Sequence, residues 1–209
     1  MTDRGGPRVE LLGVEALGVE PLGEGALRVT LPADVDRAAT LARLAALDGV
    51  RDVVLAEAHC AVYFDGAPPA DPAAAVVRGA AGPTGRLTTI HARYDGPDLE
   101  RVAAWAGVTV DEVILRHSGR VYEVRYLGFV PGFAYLADVC PSIAAPRLPS
   151  PRPRVPAGAI GIAASRTGVY PFASPGGWNL VANAIDFHAF DPARGAALRP
   201  GDRVRFEPR

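Results

Sequence analysis

The sequence predicts an α+β protein, a small α/β sandwich followed by a β barrel, and three observations carry that prediction. Strand-like runs alternate with two helical stretches as far as Tyr94. Two short capped helices follow, and from Val121 onward short strands stand between strong turn signals. The chain has 209 residues and 49% hydrophobic content, enough to bury a substantial core, and its length suits one large or two small domains. It divides into a flexible segment 1–7, an α/β domain 8–94, a helical linker 95–119 and a barrel domain 120–209.

In the first half, strands are expected at Val9 to Val14, Ala26 to Leu31, Val50 to Ala56, His59 to Phe64 and Leu87 to Tyr94, all short apolar or alternating runs. A helix is expected from about Asp36 to Leu47, because Leu41, Leu44 and Leu47 recur on one face and Gly49 stands just past its end. A second, less periodic helix spans about Pro72 to Arg78. Strands and helices in this order match a ferredoxin-like sandwich with an extra strand. In the linker, Asp98 offers a helix start and Gly107 a stop. Thr109 and Glu112 then stand at capping-box spacing, ahead of a helix that ends on His117. The helix dipole at that end favours protonated His117, which makes it either a candidate acid and anion donor or a simple C-terminal cap. The runs VYEVRYLG, AIGIAA, WNLVAN, IDFHAF and, after Pro200-Gly201-Asp202, RVRFEP have the spacing of a closed or nearly closed barrel.

Charge is unevenly placed. The net charge is -1, yet four arginines (Arg147, Arg152, Arg154 and Arg166) and no acid lie between Asp138 and Asp186. Pro146, Pro149, Pro151, Pro153 and Pro156 forbid a helix there and stiffen the segment as extended or polyproline II chain. Alternate side chains then share a face, so Arg152 and Arg154 point the same way from a rigid support, with Arg147 on the same strip. Guanidinium groups held so suit a carboxylate or phosphate. The competing reading gives each arginine an acid from elsewhere in the fold. The block GFVPGFAYL, from Gly128, is expected at the site-facing or partner-facing edge of the barrel.

Composition excludes several classes. A pI of about 6.4 leaves no broad basic surface for nucleic acid. MTDRGGPR has no apolar run after its charges, and the longest uncharged span, from Thr167 to Ile185, is broken by Pro, Gly, Ser and Asn. A secretory signal and a membrane helix are therefore not expected, and a cytoplasmic location is. Cys60 and Cys140 lack CxxC spacing, and His59, His91, His117 and His188 form no HExxH pair, so no metal is expected. All 22 basic residues are arginine. A phosphate-loop lysine, a Schiff-base lysine and a biotin-carrying lysine are thereby excluded from this chain.

Taken in order, YDGPDL from Tyr94, VDEVILRH ending at His117, GFVPGFAYL, PRLPSPR from Pro146, VPAGAIG from Val155, TGVYP from Thr167, SPGGW from Ser174 and PGD from Pro200 resemble signature blocks of the B subunit of bacterial 5-oxoprolinase. That family also takes in allophanate hydrolase subunit 1, the C and D subdomains of urea-carboxylase-type carboxyltransferases, and inhibitors of a sporulation sensor kinase. The resemblance runs from about Leu22 to Phe206. It implies an N-terminal α/β domain joined to a cyclophilin-like barrel, and a hetero-oligomer with a larger, related C subunit. In that system the B and C subunits activate the cyclic amide of 5-oxoproline with Mg-ATP, and a separate A subunit completes ring opening to glutamate. This chain alone would be inactive, and its larger partner could supply most of the ATP contacts.

The positions carried over by the resemblance are His117, as the catalytic candidate, and Arg147, Arg152, Pro156, Gly158, Thr167, Tyr170, Pro171, Ser174, Pro175, Gly176, Gly177 and Trp178 for substrate or nucleotide. Two positions depart from the pattern. ASRTG places Arg166 where the family has glutamine, and VANAI follows Leu180 where an arginine and a proline are usual. Arg166 is therefore expected at the pocket, recruiting an anionic group in place of the missing arginine. The alternatives are a carboxyltransferase half, which would need further components, and a regulatory inhibitor of a sensor histidine kinase.

Overall fold

A computed structural model describes residues 18–66, 72–78 and 85–209. The strand expected at Val9 to Val14 lies outside them. Four antiparallel strands form the first sheet: β1 (Val19–Pro21), β2 (Ala26–Thr30), β3 (Val50–Leu55) and β4 (His59–Phe64), in the order β1-β2-β4-β3. Helix α1 (Arg37–Ala45) crosses from β2 to β3. It starts where Asp36 accepts the Ala39 N–H at 2.9 Å, which satisfies one of the free amides of the first turn. Its Leu44 is fully buried against Val29, Cys60 and Val62 of the sheet. The second helix expected in this half is a single 3-10 turn, Pro72–Ala75. A four-residue segment makes too few hydrogen bonds to repay the cost of nucleating an α-helix.

Leu87–Arg93, here β5, does not join that sheet. It pairs in parallel with the C-terminal strand β15 (Arg203–Pro208), from Leu87 opposite Arg203 to Ala92 opposite Pro208. The boundary expected at residue 94 therefore falls inside the barrel unit. The local pattern announces a strand but not its partner, which comes from the far end of the chain.

Between β5 and β6 (Val121–Leu127) lie α2 (Leu99–Ala106) and α3 (Val110–Ser118). The first ends on Gly107 at φ 66, and the second starts with the expected capping box of Thr109 and Glu112. Neither helix is a free linker. Leu99, Val102, Ala103 and Val113 are buried in one core with Ile90, Tyr122, Val124 and Phe206.

The remaining strands are β7 (Ala134–Ala137), β8 (Arg152–Val155), β9 (Ala159–Ala163), β10 (Arg166–Val169), β11 (Ser174–Gly176), β12 (Asn179–Ile185), β13 (Phe190–Asp191) and β14 (Gly195–Ala196). Seven strands close the barrel in the order β10-β7-β6-β15-β5-β12-β9. The proline-rich segment stays outside it, and its end, β8, forms a two-stranded ribbon with β11. The expected strand IDFHAF is broken where the backbone turns at Asp186 (φ 55): Ile185 ends β12 opposite His91 of β5, and Phe190 begins β13, which pairs with β14.

Candidate functional site

The ribbon β8–β11, the loop between β6 and β7, and the turn into β12 enclose a cavity of about 210 Å³. Its wall is aromatic. Phe133 meets Tyr135, Tyr170 and Trp178 edge to face, each with ring centroids 5.1 Å apart, the geometry ring quadrupoles prefer. Phe129 stands over the mouth, 56% exposed and at φ 69, with its edge toward Phe133 and Tyr170. A bulky residue held at positive φ is costly and collects at functional sites. Pro151, Pro175, Gly176 and Gly177 complete the lining.

Arg147 is the one charged residue in that lining, and its guanidinium lies 6.0 Å from the centre of the Trp178 ring. No acidic side chain among the described residues pairs with it. Tyr170, 2% exposed, forms the back wall. Burial pushes its phenol pKa up, against smaller opposing effects from the Trp178 amide and the charges of Arg147 and Arg152. A Cβ at position 176 would stand 2.4 Å from the Tyr170 hydroxyl, so glycine is required there. On the other side of Tyr170 lies a smaller cleft of about 180 Å³, lined by Gly158, Pro171, Asp186, Phe187 and His188 among others.

The structure thus gathers Arg147, Tyr170, Pro175, Gly176, Gly177 and Trp178 at one cavity and Gly158 and Pro171 at its neighbour. It places the other candidates elsewhere. His117 is fully buried; its Nδ1 is 2.7 Å from the Tyr94 hydroxyl, its Nε2 is 2.9 Å from the Thr167 hydroxyl, and its ring stacks on Phe206. Burial lowers its pKa to about 3, so the imidazole is neutral and serves the core rather than acting as an acid. Thr167, equally buried, donates to the Gly161 carbonyl at 2.9 Å.

Arg152 is committed to Asp98 at 2.6 Å, and the other Asp98 oxygen accepts the Leu180 N–H at 2.7 Å. Arg166 does not reach the pocket. It bonds Glu57 at 2.5 and 3.1 Å and Asp138 at 3.0 Å, which joins the barrel to the first sheet. Asn183, near the position of the missing arginine, donates to Asp95 instead. Pro156 and Ser174 line neither cavity, and the buried Ser174 hydroxyl has no hydrogen-bond partner among the described residues. Arg154 is exposed.

Tyr135 falls within the GFVPGFAYL block expected at the site-facing or partner-facing edge but was not singled out, although in an extended run it shares a face with Phe133. Asp186, Phe187 and His188 had no such signal, because their place depends on a local turn.

Residues 7–198 match the family model described as the carboxyltransferase domain, subdomain C and D. The chain belongs to that family. Two proteins named as the B subunit of 5-oxoprolinase are similar to it. The one from Escherichia coli O157:H7 is 45% identical over 124 residues, 58% of this chain and 56% of that protein. The one from Bacillus subtilis is 47% identical over 113 residues, 53% of this chain and 47% of that protein. The chain spans about half the length of these curated relatives.

Among solved structures, that of TTHA0988 has a TM-score of 0.71 at 35% identity, over 88% of this chain and 40% of that one. The conserved uncharacterized protein PH0987 from Pyrococcus horikoshii has a TM-score of 0.57 at 31% identity, over 91% of this chain and 97% of that one. The Kluyveromyces lactis urea carboxylase shares the fold, with a TM-score of 0.66 at 15% identity over 92% of this chain and 22% of that one. In this carboxyltransferase-family chain, every residue of the aromatic cavity falls within the matched span.

Proposed function

We propose that this chain is the B subunit of an ATP-dependent 5-oxoprolinase, an amide-bond hydrolase completed by the C and A subunits in the cytoplasm. The observation that carries the reading is the aromatic cavity with one guanidinium that no acid among the described residues neutralises. Its relatives named as the B subunit of 5-oxoprolinase support it, at 38–47% identity. A cyclic amide bearing a carboxylate suits such a space: the anion faces Arg147, the flat ring lies among Phe133, Tyr135 and Trp178, and the walls exclude water from the amide. On the same reading the barrel is cyclophilin-like. The first sheet is a reduced ferredoxin-like sandwich, since β2, α1, β3 and β4 keep the order β2-β4-β3.

A nucleotide does not fit this cavity. Drug-sized ligands fill roughly 300–1,000 Å³. Of the other arginines expected to grip an anion, Arg152 and Arg166 are occupied by Asp98, Glu57 and Asp138, and Arg154 is exposed outside the cavity lining. The nucleotide belongs to a wider site that the C subunit completes, and the isolated chain is inert. Phe129 and Phe172, both exposed, offer apolar surface for that assembly.

The test is reconstitution with homologues of the C and A subunits, following release of phosphate and glutamate. Turnover should require 5-oxoproline and all three components. Arg147→Ala should lower it about tenfold to a hundredfold, the loss of a charge-assisted contact worth roughly 1.5–3 kcal/mol. Full turnover by the chain alone, or phosphate release indifferent to 5-oxoproline, would sink the proposal.

A further inference from the structure

The polar chemistry of the aromatic cavity extends beyond Arg147. Tyr170 is 2% exposed, and its hydroxyl lies against Gly176 in the cavity wall. The hydroxyl is not among the buried polar atoms left without a partner, and Tyr170 lines the cavity, so its proton is open to that space. A phenol at a cavity wall keeps its donor available to water or to a ligand. A donor left free at the back of a cavity, with a free guanidinium in the same lining, defines a two-point site for an acceptor.

The surroundings decide which acceptor. No acidic residue lines the cavity, and Arg147 is its single charge. One cation balances one negative charge, whereas a phosphate dianion would leave uncompensated charge among Phe133, Trp178 and the prolines. A carboxylate has two oxygens in one plane, enough to accept from the guanidinium and from the phenol together. The volume of about 210 Å³ and the aromatic walls suit a short hydrocarbon ring or chain behind that carboxylate.

We propose that this cavity is a self-contained site for a small monocarboxylate, with Tyr170 as a substrate-binding residue that donates its phenolic proton to the carboxylate held by Arg147. The identification of 5-oxoproline as that monocarboxylate rests on the function proposed above; the site itself does not. Gly176 is part of the device, since any side chain there would displace the Tyr170 hydroxyl. The site needs neither nucleotide nor partner to bind.

The experiment titrates the full chain alone, in Trp105→Phe background, so that Trp178 is the sole tryptophan and its fluorescence reports on the cavity. The probes are 5-oxoproline, cyclopentanecarboxylate, 2-pyrrolidinone and inorganic phosphate. The carboxylates should bind, and pyrrolidinone and phosphate should bind at least about tenfold more weakly, the scale of a lost charge-assisted contact. Tyr170→Phe, with an unchanged thermal transition, should weaken carboxylate binding about tenfold, and Arg147→Met should abolish it.

Binding of cyclopentanecarboxylate without 5-oxoproline would support the site and count against the 5-oxoprolinase reading. Three results would overturn the site: no carboxylate bound by the folded chain, phosphate or pyrrolidinone bound as tightly as the carboxylates, or Tyr170→Phe matching the parent. Any of these would leave the reconstituted assay to judge the activity separately.

Discussion

His117 shows two local effects in competition. The end of α3 favours a protonated imidazole by about 0.3–1 kcal/mol at an exposed site. Complete burial opposes it and brings the pKa from 6.5 to about 3, with each unit worth about 1.4 kcal/mol, so burial wins. The unfolded chain takes up a proton near pH 6.5 and the folded one does not, so the contribution of His117 is complete above that pH and is lost as pH falls toward about 3. At pH 5 the loss should be about 2 kcal/mol. Urea unfolding at pH 7 and pH 5 tests this: His117→Gln should be less stable at pH 7 but lose less than the parent on acidification. Equal pH sensitivity in the two proteins would mean that His117 titrates freely in the fold.

The resemblance grouped Arg147 and Arg152 at one site, and the elements separate them. Arg152 extends from β8 to Asp98 at the start of α2, and the same carboxylate holds the backbone of β12 through Leu180. Asp98 therefore ties a helix, a ribbon and a barrel strand together instead of capping α2 with its side chain. With the Asp98 side chain 7% exposed, removing its cation leaves a buried charge without compensation. Arg152→Ala should cost about 3 kcal/mol in chemical denaturation and leave carboxylate binding in the aromatic cavity intact. Lost binding with unchanged stability would return Arg152 to the ligand site. Most strands of the barrel were legible at this scale because alternation and turn residues are local signals. The ribbon pairing of β8 with β11 was not, since the prolines announce extended chain and no partner.

At the scale of the molecule, Arg166 of β10 crosses to Glu57, beside β4, and to Asp138, after β7. The local excess of arginine from Asp138 to Asp186 is thereby reduced by acids that lie outside the stretch or at its edge. Glu57 and Asp138 are about half exposed or more, so solvent screens the pairs and their worth is modest. Arg166→Gln should lower stability by about 1 kcal/mol and leave ligand affinity unchanged. A double-mutant cycle with Glu57→Gln should show coupling between the two positions, and strict additivity would deny that the pair joins the two units.

Sequence alone determined most of the barrel strands, the two capped helices and a closed or nearly closed barrel, and it singled out the GFVPGF and SPGGW blocks that line the cavity. Each of these rests on the conformational limits of a few adjacent residues or on a periodic apolar face. The tertiary structure decided that Arg152 and Arg166 are paired while Arg147 faces the cavity, that β5 belongs to the barrel, and that His117 and Thr167 belong to the core. Those outcomes depend on partners distant in the chain, on burial and on the pairing of charge, and a linear reading has no measure of any of the three.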